Sequence, residues 1–184
     1  MENNKHSKFN REKKISEFEE RVIEISRVSR VVKGGRRIRF RVLVAVGNKK
    51  GKIGFGIAKA NEISIAVKKA ANYAQKHLID VPIIAETIPY QVTQEFGSAK
   101  ILLRPAGAGT SIVAGGVIRI VAELAGIKNL VAKIIGSANK VNNTRTLFTA
   151  LSGFDPQKVE NIRQRENKSN SDLKQNKLIK NEIA

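Results

Sequence analysis

The chain has 184 residues, a length that suits one domain or two small ones and excludes a large multidomain enzyme. Lys and Arg number 34 against 16 Asp and Glu, a formal charge of +18, so the chain repels itself and is expected to meet a polyanion, with nucleic acid the leading partner. Cysteine is absent, which removes disulfides, thiolate zinc sites, iron–sulfur clusters and a cysteine nucleophile, and a reducing cytosol is compatible with that. Hydrophobic residues make up 41% of the chain and aromatics 5%, with no Trp, so the expected core is aliphatic. No apolar run approaches the ~20 residues that cross a bilayer, and neither secretion nor membrane spanning is expected.

Residues 1–17 and 155–184 are rich in Asn, Lys, Glu, Gln and Ser and are expected to be tails. Only a weak apolar pattern at Val159–Arg165 interrupts the second. Between them the chain divides near the Pro-flanked stretch Asp80–Tyr90, which gives an expected first domain over 18–81 and a second over 82–154.

In the first domain, Val22–Val32 reads as a strand, followed by a turn at Gly34-Gly35. From Arg37 to Val46 the pattern alternates, with Ile38, Phe40, Val42, Val44 and Val46 on one face and Arg37, Arg39 and Arg41 beginning the other. A turn over Gly47–Gly51 leads to a third strand, Lys52–Lys59, with Ile53, Phe55 and Ile57 on one side and Gly54 and Gly56 leaving the other flat. Asn61 is placed to cap a helix from Glu62 to about Leu78, whose apolar stripe is Ile63, Ala66, Val67, Ala70 and Ala74. Lys68, Lys69, Asn72 and Lys76 fall on its outer face. The order is β-β-β-α, a three-stranded antiparallel sheet with one helix over its apolar side.

In the second domain a strand is expected within Thr87–Phe96 and another at Ala99–Arg104. A Gly-rich turn, Pro105–Thr110, precedes a helix over Ala114–Ala125 that Gly126 stops. Leu130–Ile135 reads as a strand, and Asn139 or a neighbour caps a last helix reaching Leu151. The whole is α+β, two small domains with basic tails.

The densest basic run is Ser26–Arg41, with Arg27, Arg30, Lys33, Arg36, Arg37, Arg39 and Arg41 and no acid among them. A solvated face is the plain alternative, yet such faces normally mix Lys with Glu, and Arg suits phosphate because its planar fork donates two hydrogen bonds at once. Exposed aromatics are missing from that strand, so double-stranded or folded RNA fits better than a single strand. The Gly-rich stretch Gly107–Gly116 invites a nucleotide-binding reading but lacks the Lys-Ser/Thr ending of a P-loop. Glu123 is the lone carboxylate between Ser98 and Phe154, which leaves no pair to hold magnesium. His6 and His77 lack a Ser or Asp arrangement, and Asp80, Glu86 and Glu95 are scattered, so no catalytic set is expected.

The runs Arg27–Phe40, Val46–Ala70, Arg104–Ser137 and Asn142–Leu151 closely resemble the bacterial-type fifth small-subunit ribosomal protein family, in unbroken order across about residues 18–154. That resemblance implies an N-terminal module like a double-stranded-RNA-binding domain lacking its first helix, then a β-α-β-α domain with a left-handed crossover. It implies binding of small-subunit rRNA at the head–body junction, contacts with the fourth and eighth small-subunit ribosomal proteins, and a bearing on subunit assembly, decoding accuracy and the mRNA entry channel. It also implies a cytoplasmic place on a bacterial ribosome or its organellar counterpart, with no cofactor.

Val32–Arg36 matches the family's projecting loop, with Gly34 and Gly35 at the tip; Gly47–Lys52 matches a loop that is more glycine-rich in many members, where this chain carries Lys49 and Lys50. Lys140 stands where Pro is common, and Arg145 is intact. The expected RNA-contacting set is Arg27, Arg30, Lys33, Gly34, Gly35, Arg36, Arg37, Arg39, Lys49, Lys50, Lys52, Arg104, Lys133, Asn142 and Arg145. Two other functions stay open at this point: a free RNA chaperone using the same hairpin, and a small phosphotransferase built on Gly107–Gly116.

Overall fold

The first sheet of the protein is held from both sides, and that double burial shapes everything around it. The computed structural model describes residues 18–166; the expected tail 1–17 and the segment 167–184 lie outside the described residues. The elements of the first domain are β1 (Glu19–Val32), β2 (Gly35–Gly47), β3 (Lys52–Ala60), α1 (Ile63–Lys76) and β4 (Leu78–Asp80). Their strands form one antiparallel sheet in the order β1-β2-β3-β4. The sheet therefore has four strands where three were expected. β4 pairs with only Lys52–Gly54 of β3, a length too short to show any alternation in the sequence.

Val42, Val44 and Val46 of β2 pack with Ala58 against Ala66, Ala70, Ala71 and Ala74 of α1. Small residues on both sides let helix and sheet approach closely. A Cβ at Gly56 would lie 2.9 Å from the Ala70 carbonyl carbon, and one at Gly54 would lie 3.1 Å from that of Ala74. The helix thus rests on the glycine side of β3, not on Ile53, Phe55 and Ile57. Its expected stripe needs one correction, since Ile63 is exposed and Ala71 is buried instead. Glu62, not Asn61, is the N-cap residue, and no side chain caps this helix.

The second domain comprises β5 (Val92–Phe96), β6 (Ala99–Pro105), β7 (Ile112–Val113), α2 (Gly116–Ala125), β8 (Leu130–Gly136) and α3 (Lys140–Ser152). Its sheet has the order β5-β6-β8-β7, with β7 parallel to β8 and α2 as the connection between them. The two-residue β7 was not expected, and α2 begins at Gly116 rather than Ala114. Gly126 ends α2 in the left-handed conformation, φ 91°, with its N–H donating to the Ala122 carbonyl at 3.1 Å. Asn139 caps α3 as expected, its side chain accepting from the Val141 N–H at 3.0 Å.

A further helix, α4, spans 156–166, inside the segment expected to be a tail. Val159 is buried and Ile162 packs against the core, so two apolar residues three apart suffice to dock one turn of a polar helix. The Asp155 N–H donates to the Tyr90 hydroxyl at 2.9 Å, and Tyr90 meets Phe154 edge-on at 5.2 Å, which fixes the approach to α4.

One apolar core joins the two sheets. Ala45 and Ile53 of the first domain, Val81, Ile84 and Ile88 of the connecting stretch, and Ile118, Leu124, Leu130 and Phe148 of the second all belong to it. Backbone crosses the same seam: Lys49 N–H donates to the Leu124 carbonyl at 2.9 Å and Gly51 N–H to that of Ala125 at 2.8 Å. Among the described residues no helix is long and apolar enough to cross a membrane.

Candidate nucleic-acid interface

β2 alternates as the sequence predicts, but its second face changes character halfway. Register puts Arg37, Arg39 and Arg41 on the face shared with Arg30, Val28 and Ser26 of β1. Further along that same face come Leu43, Ala45 and Gly47, all buried, with Ala45 in the core shared with the second domain and Gly47 against Leu124 of α2. The guanidiniums therefore occupy only the part of the strand that extends beyond the second domain.

That part is a two-stranded ribbon. β3 pairs with β2 only as far as Phe40, opposite Ala60, so Val28–Arg39 projects with β1 and β2 as its only strands. Val31 is 72% exposed and Ile38 43% exposed. The turn is two residues, Lys33-Gly34, between the paired Val32 and Gly35. Gly35 has φ 120°, a backbone setting that only glycine adopts without strain, whereas Gly34 needs no such freedom. Neither glycine has an atom within 4 Å of the place a Cβ would take, so the backbone of the tip is uncovered by the rest of the protein.

The arrangement of charge is costly on its own. Arg30 lies directly opposite Arg37, and Arg41 directly opposite Lys59. Like charges in directly opposed positions destabilise a strand pair. Among the described residues none of Arg27, Arg30, Lys33, Arg36, Arg37, Arg39, Arg41 or Lys59 makes an ion pair. A cleft of about 280 Å³ on this face is lined by Val28, Arg30, Val32, Arg37, Arg39 and Lys59, along with Ser29. Arg27 and Arg36, with Val31 and Ile38, share the opposite face, the one that carries Val42, Val44 and Val46 toward α1 further down the strand. The single basic run of the sequence is thus two cationic faces and a tip. Lys59 was missed because its partnership with Arg41 depends on register, which spacing does not reveal.

The other expected residues sit elsewhere. Lys49 and Lys50 lie in the β2–β3 turn, whose backbone is bonded to the end of α2, so that turn faces the second domain. The Lys49 ammonium pairs with Glu19, and Lys52 lies 3.9 Å from Asp80. Arg21 joins Glu19 and Glu123 across the seam. Hydrogen bonds from Lys49 first and Arg21 second hold the Glu19 carboxyl below its ordinary value, and Glu19 and Glu123 hold the Arg21 guanidinium above its own.

Arg104 and Lys133 lie on the outer face of the second sheet, opposite Val131 and Leu102, and Arg104 donates to the Gln91 side chain at 2.9 Å. Asn142 is half-buried in the first turn of α3, its carbonyl accepting from the Thr146 hydroxyl. Arg145 stands 5.8 Å over the Phe96 ring. These four are on different elements from the hairpin. Gly107–Gly116 forms the loop, β7 and the start of α2, and the described residues contain no group of acids and histidines able to hold a metal.

Comparison with known proteins agrees with this two-part architecture. Residues 18–82 match the family model described as ribosomal protein S5, N-terminal domain, and residues 94–164 match ribosomal protein S5, C-terminal domain. Small ribosomal subunit protein uS5 of Thermotoga petrophila is 46% identical over 154 residues, covering 83% of this chain and 86% of its own. The uS5 of Thermotoga neapolitana is 47% identical over the same length, and that of Trichormus variabilis is 48% identical over 147 residues, covering 79% and 84%. The second model ends within α4, the helix that composition assigned to a tail.

Proposed function

Since the chain belongs to the ribosomal protein S5 family, we propose that it is a structural, non-enzymatic constituent of the small ribosomal subunit that grips small-subunit rRNA with the β1–β2 hairpin. The observation that carries the reading is the directly opposed Arg30 and Arg37 on a projecting ribbon with no acidic partner among the described residues. Phosphates relieve that repulsion, and bound counterions are released in exchange. The backbone amides of the Lys33-Gly34 turn reach phosphate oxygens, with nothing crowding Gly34.

The finer part of the reading follows the family resemblance. The hairpin tip reaches rRNA where head and body of the subunit meet, and the protein touches the fourth and eighth small-subunit proteins and lies beside the mRNA entry. It thereby bears on subunit assembly and decoding accuracy in a cytoplasmic ribosome. The outer face of the second sheet, with Arg104 and Lys133, and the α3 residues Asn142 and Arg145 provide secondary contacts on this reading.

Sedimentation of tagged protein through a high-salt gradient tests the premise: it travels at one copy per small subunit, and recovery at the top of the gradient would return the function to a free RNA chaperone. The hairpin is tested by measuring RNA affinity against salt for Arg36→Ala and Arg37→Ala separately. Each lost phosphate contact lowers the slope of log K against log salt by about 0.7–0.9. Because the two residues lie on opposite faces, the pair of slopes reports which face holds the RNA. Wild-type slopes in both variants would remove the hairpin from the interface.

A further inference from the structure

Four of the chain's aromatic side chains, Phe55, Tyr73, Phe96 and Phe148, line one cleft of about 460 Å³ between α1, β5 and α3, together with His77, Ile79 and Arg145. In a chain so poor in aromatics this is a concentration, and two of the four are left open. Tyr73 is 52% exposed and Phe96 42% exposed. Phe55 and Phe148 form the floor, their ring centroids 4.6 Å apart. Each exposed ring is braced: Tyr73 stacks on His77 at 4.2 Å and 23° between planes, and Phe96 lies under the Arg145 guanidinium. The His77 Nδ1 is 2.9 Å from the Tyr73 carbonyl, which can only accept, so Nδ1 carries the proton and Nε2 is left for a ligand.

Tyr73 also borders a second cleft, of about 470 Å³, against the free edge of β3, where Lys68, Lys69, Asn72 and Lys76 line the wall. None of these three lysines makes an ion pair among the described residues, and no acidic side chain lines either cleft. Braced half-exposed rings beside a row of unpaired cations are the two components of a single-strand site: ring faces for bases and charge for the backbone.

We propose that the α1–α3 cleft takes an unpaired nucleotide of RNA, its base stacked against Tyr73 and Phe96 and its neighbouring phosphates on Lys68, Lys69 and Lys76. This rests on the rRNA-binding reading and adds to it a second mode, since the hairpin is built for folded RNA and lacks a stacking surface. An apolar peptide would fill the rings but leave the cations unanswered.

The test uses the full chain, a short oligouridylate and an RNA duplex. Trp is absent and Tyr73 and Tyr90 are the two tyrosines, so in a Tyr90→Phe background quenching of tyrosine emission reports on Tyr73. The oligonucleotide quenches that emission. Tyr73→Leu with Phe96→Leu keeps the apolar bulk of two half-exposed sites, so the fold is retained, and lowers oligonucleotide affinity by about 5- to 140-fold while duplex affinity is unchanged. Arg30→Ala with Arg37→Ala gives the reverse pattern, so failure of the cleft and failure of the hairpin are separate results. Unchanged oligonucleotide affinity in the leucine variant would overturn the proposal. A photo-crosslinker at position 73 in assembled small subunits attaches to an rRNA nucleotide; attachment to a protein neighbour would overturn it in favour of a peptide occupant.

Discussion

Replacing Gly47 by Ala probes the seam between the two sheets at its tightest point. Gly47 does not adopt a backbone angle reserved for glycine, so the residue is explained by space alone. A Cβ there would lie 2.8 Å from the Leu124 carbonyl carbon and 2.9 Å from the Leu124 Cβ. Carbon atoms rest at about 3.5–4.0 Å, so α2 has to withdraw by roughly 0.7–1 Å. Overpacking of this kind costs about 1–3 kcal/mol, and weakening the two hydrogen bonds from Lys49 and Gly51 to α2 adds up to about 0.5–1.5 kcal/mol each. A total of about 2–6 kcal/mol lowers the melting temperature by roughly 4–24 °C for a chain of this size. Thermal unfolding followed by circular dichroism on the full chain reads this directly. Gly34→Ala is the control, since its Cβ would meet nothing within 4 Å, and surface changes of that sort stay within about 0.5 kcal/mol. If Gly47→Ala melts with the wild type, the seam is looser than these distances state and the argument for a rigid junction fails.

Three further outcomes follow from single residues. Asn139→Ala removes the side-chain cap of α3 and costs about 0.5–2 kcal/mol, measured by urea unfolding; an unchanged midpoint would show the cap to be idle. Ser111 holds φ 64° while its N–H bonds to Asn129 and its carbonyl to Leu130, so Ser111→Gly relieves about 1–2 kcal/mol of strain, less ~0.4–1 kcal/mol of chain entropy. The melting temperature rises slightly, and a fall would refute the strain. Glu19 has a folded-state pKa below its unfolded one, so its contribution is present above the ordinary glutamate range and disappears as pH falls through the lowered value. Lys49→Met moves the Glu19 carboxyl titration, followed by NMR, back toward the ordinary value, and an unmoved midpoint would remove Lys49 as the cause.

Much of the architecture was legible where one residue type repeats with a single period. The alternation of Ile38–Val46 and the alanine spacing Ala66–Ala70–Ala74 reported β2 and the buried face of α1, because each is set by local geometry. Contacts made by register or by a second domain were not legible. Nothing local marks Ala45 and Gly47 as seam residues, or Lys59 as the partner of Arg41, since those relations appear only when another strand or helix arrives. The same limit hid the aromatic cleft: Phe55, Tyr73, Phe96 and Phe148 are scattered over about half the chain and meet only in three dimensions. Val159 and Ile162 were too few to mark α4 by composition, although two well-placed apolar residues were enough to seat it.

β2 extends for 13 residues, roughly 40 Å at about 3.3 Å per residue, from the hairpin tip to the seam. Its middle is clamped by α1 on one face and by paired strands on both edges, and a bulge in β1 between Val22 and Glu24 adds twist close to the seam end. A strand held in this way behaves as a lever rather than a spring. Tilting the tip rotates the far end against α2, where the backbone of Gly47 meets that of Leu124 with no side chain to act as a cushion. The orientation of whatever the hairpin grips and the angle between the two sheets are therefore a single geometric variable.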